Sequence, residues 1–260
     1  MTNYYISYPK INICFKILGF LDNGYCDIYS RYMKVTNTFF DSIVIKDSTS
    51  FKIYGNCQCS LESNTIFKAK EILKKWLLDN DNKKAMFLEN FIIDIDKKIP
   101  IFAGLGGGSS NAGTYLLAMN EILELDLPIY ILGRIASNVG ADVSFFVYDV
   151  NSANVSGIGD KIVEFKESII DVEIVTPNIL CETKAVFDEF RANFKANIID
   201  SNILNMESKD ILKTYNIFEL NDLFAPALNL YPELKEFIKD GYYFSGSGSS
   251  FFKLKNNIQR

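Results

Sequence analysis

The 260-residue chain carries 27 lysines and arginines against 32 aspartates and glutamates, a formal net charge of -5 and a pI near 5.0, which argues against a surface built to hold a nucleic-acid backbone. Its 48% hydrophobic content suits a globular chain with a real core, as one large domain or two small ones. It contains no histidine, which removes Ser-His-Asp and Cys-His nucleophilic catalysis and most transition-metal sites, and leaves carboxylate, lysine, tyrosine or cysteine for any acid–base step.

The chain opens with an extended segment, Tyr4 to Leu18, in which Ile11, Ile13, Phe15 and Ile17 alternate in the manner of a half-buried strand. Lys10 and Asn12 then share its opposite face. Asn23-Gly24 is a hairpin-type turn signal. Strands are predicted at Lys34 to Phe40, Ser42 to Lys46 and Phe51 to Tyr54. A helix is predicted from Thr65 to Leu78, because Ile66, Ala69, Ile72, Leu73, Trp76 and Leu77 recur at steps of three and four.

A strand at Phe91 to Ile95 leads into AGLGGGSSNAG, Ala103 to Gly113, after which Ala112 to Leu125 reads as a helix. Clustered glycine lets backbone N–H groups converge on phosphate oxygens, and a helix N-terminus behind it adds its own donors and dipole. Ser109 or Ser110 is a candidate N-cap. The stretch is not a Walker loop, since no lysine follows the glycines, and GxGxxG would need glycine at Ser109.

Pro128 opens a further helix that Gly140 ends as a C′ glycine. Asp142 follows in a polar-then-apolar turn. Next come a strand pair at Ser152 to Val155 and Lys161 to Phe165, a strand at Val172 to Val175, and helices near Lys184 to Phe194 and Leu228 to Lys239. A second glycine-serine loop, SGSGSS, spans Ser245 to Ser250. The composition changes near residue 152, which divides the chain into halves 1–152 and 153–260.

No apolar run is long enough to cross a bilayer, and MTNYYISYPK lacks a signal-peptide layout, so a cytoplasmic protein without membrane contact is expected. Five cysteines, with Cys57 and Cys59 spaced CxC, indicate neither a disulfide framework nor a zinc knuckle, and no protein metal site is expected.

PKIN at 9–12, PIFAGLGGGSSNA at 100–112 and SGSGSS at 245–250 resemble the three motifs of the GHMP small-molecule kinases, in that family's order and spacing. NGYC at 23–26 and GADVSFF at 140–146 narrow the likeness to the branch that phosphorylates a cytidine diphosphate-linked polyol. The resemblance covers nearly the whole chain. Only 207–239 matches weakly, through NDL at 221–223 and YPE at 231–233.

The resemblance implies an α+β, two-domain GHMP kinase fold. Its N-terminal domain is like ribosomal protein S5, its C-terminal domain is ferredoxin-like, and the active site lies in the cleft between them. It implies transfer of the γ-phosphoryl of ATP, with Mg²⁺, to a tertiary hydroxyl, by a monomer or weak homodimer. Pro100, Ile101, Phe102, Ala103, Gly104, Leu105, Gly106, Gly107, Gly108, Ser109 and Ser110 match the ATP-phosphate loop. Lys10 and Asp142 match the catalytic pair, and Tyr25 and Phe187, the latter ten residues after Pro177, match the pair that stacks on cytosine. Asn12 is expected to touch substrate.

Phosphoryl transfer needs positioning and charge neutralisation more than covalent help, so such a cradle, a cation and one carboxylate near the attacking hydroxyl suffice. Read alone, Lys10 is a solvated strand lysine, whereas Asp142, just past a helix end, is the group placed to accept or orient the hydroxyl proton, with a turn aspartate that caps backbone as the alternative. The sequence departs from the family at Cys26, where a histidine usually meets the cytosine edge, and at Gly113, which weakens its helix by about 1 kcal/mol relative to alanine.

Overall fold

The computed structural model describes residues 2–56, 59–196 and 200–255; Cys57 lies outside them. Cys14, Cys26, Cys59 and Cys181 are free thiols. In chain order the elements begin β1 (Thr2–Ser7), β2 (Lys10–Phe20), β3 (Cys26–Lys34), β4 (Asp41–Asp47), β5 (Lys52–Gly55), α1 (Thr65–Asp79) and β6 (Phe91–Asp96). Helices α2 (Gly107–Ile122), α3 (Ile129–Val139) and α4 (Val143–Tyr148) follow, then β7 (Ser152–Gly157), β8 (Lys161–Glu164) and β9 (Val172–Val175). The remainder is α5 (Thr183–Asn193), α6 (Ser208–Thr214), α7 (Ile217–Leu220), α8 (Phe224–Leu230), β10 (Tyr243–Phe244) and β11 (Phe251–Leu254).

Compactness does not follow the single cut expected at 152. One unit comprises Met1–Pro9, Phe39–Ile99 and Gly107–Val150; the other comprises Lys10–Thr38, Pro100–Gly106 and Asn151–Arg260. The exchange between Val150 and Asn151 is the only one that composition signals.

The first unit is a four-stranded sheet, β1-β4-β6-β5, covered by helices. Ile43, Ile45, Ile93 and Ile95 present one sheet face to Ile66, Ala69, Leu73 and Leu77 of α1 and to Tyr115, Leu116 and Met119 of α2, all in one buried cluster. The predicted periodicity of α1 is thus its buried stripe. Asn64 caps that helix by accepting from the Ile66 N–H.

The second unit contains the sheet β2-β3-β7-β8 and a smaller sheet, β10-β11-β9. Its core joins Phe15, Ile17, Cys26 and Ile28 to Phe190, Phe224, Phe244 and Phe251.

Five expectations change. Strand β2 is buried on both faces, so Lys10 and Asn12 are 3% and 1% exposed rather than solvated. The predicted strand from Lys34 to Phe40 is absent, and β3 runs earlier, where Asp27, Ser30 and Arg31 interrupt the apolar pattern. Helix α2 begins at Gly107, five residues before its predicted start, so Ser109 and Ser110 lie in its first turn and are not N-caps. Gly140 ends α3 with extended backbone, φ 179°, not a left-handed turn. The helix predicted from Leu228 to Lys239 breaks at Tyr231, because Pro232 drives the residue before it out of helical conformation, and a 3-10 turn, Pro232–Phe237, follows.

Candidate active site

In the second unit the glycine loop meets the start of β2 and the SGSGSS loop. Gly104 has φ +71°, and a Cβ there would stand 2.0 Å from the Ser245 carbonyl oxygen, so only glycine allows the two loops to touch. The Ser250 N–H donates to the Ala103 carbonyl at 3.1 Å, and the Lys10 N–H donates to the Leu105 carbonyl at 3.0 Å. Ala103 and Leu105 are buried and offer a ligand only backbone, whereas Phe102 is 60% exposed with φ +50°.

Lys10 is held at its charged end. Its Nζ donates to Asn12 Oδ1 at 2.6 Å and to the Gly104 carbonyl at 3.3 Å, and lies 4.6 Å from the centre of the Tyr32 ring. Asn12 is oriented in turn, with Nδ2 donating to Ser30 Oγ at 2.9 Å and its N–H donating to Ser245 Oγ at 3.2 Å. Ser245 Oγ donates to the Gly104 carbonyl at 2.9 Å. A buried network therefore ties Lys10 to the glycine loop; Ser245 of the SGSGSS motif completes it together with Ser30 and Tyr32, which were not singled out from sequence.

The weak NDL match also acquires a role. Asn221 Nδ2 donates to the Phe244 and Gly246 carbonyls, each at 2.9 Å, and so braces the SGSGSS loop. Asp222 accepts from the Ile17 N–H at 2.8 Å and from the Lys16 ammonium, which fixes the same segment to β2.

In the first unit, Gly107, Gly108 and Ser109 form the first turn of α2, where backbone N–H groups lack intrahelical acceptors. The segment before the glycines is anchored by the fully buried Asp41. Its carboxylate accepts from Lys97 Nζ at 2.7 Å, from the Lys98 N–H at 2.7 Å, from the Ile99 N–H at 2.8 Å and from Asn111 Nδ2 at 2.9 Å. Ser110 Oγ donates to the Tyr8 carbonyl at 2.6 Å, so its side chain is committed to protein and only its backbone faces the helix start. Neither Asp41 nor Asn111 carries a sequence signal that marks this role.

Asp142 occupies the N-cap position of α4, and its side chain makes no capping hydrogen bond to that helix. Helix α4 is held close to α2. A Cβ on Gly113 would stand 2.7 Å from Phe146 Cβ, so the glycine departure is a close approach between helices.

Tyr25 projects from the turn between β2 and β3, 59% exposed, and Phe187 of α5 packs edge-on against Phe15 at 6.0 Å. The Cys26 side chain lies in the core, and burial raises its thiol pKa, so what it offers a ligand is backbone. Arg191, which the sequence did not mark, reaches the same turn: Nη2 donates to the Gly24 carbonyl at 2.8 Å and stands 3.9 Å from Cys26 Sγ.

Residues 64–149 match the model of the GHMP kinases N terminal domain. The chain is 45% identical, over 96% of both chains, to a 4-diphosphocytidyl-2-C-methyl-D-erythritol kinase of Sulfurimonas denitrificans. It is 39% identical to the protein of the same name from Helicobacter pylori, over 98% of this chain and 96% of that one. A crystal structure of 4-(cytidine 5'-diphospho)-2C-methyl-D-erythritol kinase has the same fold, with a TM-score of 0.76 at 23% identity over 97% of this chain and 90% of that one.

Proposed function

This chain belongs to the 4-diphosphocytidyl-2-C-methyl-D-erythritol kinase family and is an ATP-dependent small-molecule kinase with the GHMP kinase fold, and on that premise we propose which of its residues act. The reaction moves the γ-phosphoryl of ATP to the 2-hydroxyl of 4-diphosphocytidyl-2-C-methyl-D-erythritol, a step of the non-mevalonate route to isoprenoid precursors.

The observation that carries this reading is Lys10: a buried ammonium hydrogen-bonded to a carbonyl of the glycine loop is a cation fixed beside the phosphate cradle. Gly106 to Ser109 supply the N–H groups for the ATP phosphates. Asp142 accepts or orients the proton of the attacking hydroxyl, and Lys10 stabilises the developing alkoxide. Tyr25 and Phe187 stack on the pyrimidine, and Asn12 orients Lys10 and contacts substrate.

Mg²⁺ accompanies the ATP phosphates in this proposal. Among the described residues no three carboxylate, thiol or imidazole groups converge, and a kinase magnesium ion needs none, since phosphates, waters and one or two protein oxygens hold it. The proposed enzyme is cytoplasmic and acts as a monomer or weak homodimer; among the described residues no helix is long and apolar enough to cross a membrane.

The test is ADP release with the cytidine diphosphate polyol, homoserine, mevalonate and galactose in parallel. Release with the first alone is expected. Preference for another alcohol would overturn the substrate assignment, and ATP binding without turnover on any would make the chain a nucleotide-binding paralogue.

A further inference from the structure

Ser245 joins the two sides of the buried network around Lys10. Its Oγ donates to the Gly104 carbonyl at 2.9 Å, the same oxygen that Lys10 Nζ reaches at 3.3 Å, and accepts from the Asn12 N–H at 3.2 Å. A serine does this only while its own backbone is held still, and SGSGSS is a poor segment for that, since Gly246 and Gly248 both have positive φ and glycine is the residue with most conformational freedom. The carbonyls of both neighbours of Ser245, Phe244 and Gly246, are taken by one side chain, the amide of Asn221, at 2.9 Å each. Resting on the proposed role of Lys10, we propose that Asn221 is a positioning residue for phosphoryl transfer, holding Ser245 so that the Lys10 ammonium stays aimed at the glycine loop.

The side chain is matched to this task. Asn221 is buried, Nδ2 donates to the two carbonyls, and Oδ1 accepts from the Leu223 N–H at 2.9 Å. Two donors and an acceptor on so short a stem are what asparagine offers: aspartate would set carboxylate oxygens against both carbonyls, and a serine or threonine hydroxyl has one proton to give. The backbone of the same segment is tied to β2, the strand that begins at Lys10. Asn221 forms a β-bridge with Phe15, the Asp222 N–H donates to the Phe15 carbonyl at 2.9 Å, and the Asp222 carboxylate accepts from the Ile17 N–H. Asn221 thus fixes the SGSGSS loop against the strand that carries Lys10 and Asn12.

The glycine loop has other ties that Asn221 does not touch directly, the backbone bonds from the Ser250 N–H to the Ala103 carbonyl and from the Lys10 N–H to the Leu105 carbonyl. Removing the amide therefore leaves the phosphate cradle docked and loosens the side chains that orient Lys10. Because Lys10 acts on charge that develops during transfer, the loss falls on the transition state rather than on the binding of either substrate.

The test is steady-state kinetics of Asn221→Ala, Ser245→Ala and Lys10→Ala, and of each of the first two combined with Lys10→Ala, with circular dichroism and a thermal melt showing that each protein is folded at the assay temperature. Asn221→Ala and Ser245→Ala are each expected to lower kcat about 10- to 100-fold, as for a small displacement of a catalytic group, with KM for ATP and for the cytidine substrate unchanged. In the Lys10→Ala background neither is expected to lower kcat further, because the ammonium they aim is gone. A lowered melting temperature with wild-type kcat overturns the role, and so does a raised KM for ATP with kcat intact, or a full loss from Asn221→Ala on top of Lys10→Ala. Should Asn221→Ala not fold, Ser245→Ala decides, since it removes the relay without leaving two buried carbonyls bare, and wild-type kcat there overturns the role. Lys10→Ala at wild-type kcat is the distinct result that overturns the reading of Lys10, and this inference with it.

Discussion

Lys10 owes its position to the groups around its ammonium, of which only Asn12 is near it in sequence. Asn12 Oδ1, the Gly104 carbonyl and the face of Tyr32 hold it, while the strand pattern alone placed it in solvent. What the sequence carried was the residue type inside PKIN; what it lacked was the second face of β2, which the rest of its unit buries. For the chemistry, Asp142→Asn is expected to lower kcat by about 10² to 10⁴-fold with little change in substrate KM, as for loss of a general base. Lys10→Ala should look similar. If the two residues act as a unit, the double variant is far less impaired than the product of the single effects predicts. Single-turnover rates of the four proteins decide this, and simple multiplicativity would mean that they act separately.

At the scale of elements, Gly113 shows how propensity and packing give opposite signs. Helix propensity alone says that Gly113→Ala stabilises α2 by about 1 kcal/mol. In the structure a methyl group there meets Phe146 Cβ at 2.7 Å and the Val143 carbonyl oxygen at 3.4 Å, so α2 and α4 must separate. Overpacking of this kind costs about 1 to 3 kcal/mol. Gly113→Ala is therefore expected to lower the urea midpoint and, because α4 carries Asp142 at its start, to lower kcat as well; a raised midpoint would show that propensity wins. The same contrast explains which elements were legible. Helix α1 and strand β9 announce themselves because each has one periodic apolar pattern. Strand β3 does not, because Arg31 interrupts it, and that arginine is buried by partners far away in the chain: Asn154, Glu167 and the carbonyls of Leu204 and Met206. Helix α2 starts inside its glycines, against their propensity, because Asp41 and Asn111 anchor the segment around its first turn, a tie visible only in three dimensions.

For the whole molecule, the interlacing of the chain bears on how it can be divided. A fragment ending at residue 152 contains every segment of the first compact unit, but of the second only Lys10–Thr38, Pro100–Gly106 and the two residues Asn151 and Ser152. Within that second unit, Ile28 to Met33 of β3 pair with Ser152 to Gly157 of β7, so the cut strips all but the Met33–Ser152 pair from one edge of the strand. It also removes Phe190, Phe224, Phe244 and Phe251, against which Phe15, Ile17 and Ile28 are buried, and every partner named above for Arg31. What remains of β2 and β3 is a two-stranded hairpin with an open apolar face, which is marginal in water and prone to edge pairing. The fragment is expected to aggregate or, where kept soluble at low concentration, to exchange the amide protons of Ile11, Ile13, Phe15 and Ile17 at nearly unprotected rates while α1 and β6 stay protected. Hydrogen exchange read residue by residue checks this. Native-like protection across β2 in the isolated fragment would mean that the hairpin and glycine loop fold without the rest of their unit, and that the change of composition near residue 152 marks a true autonomous boundary.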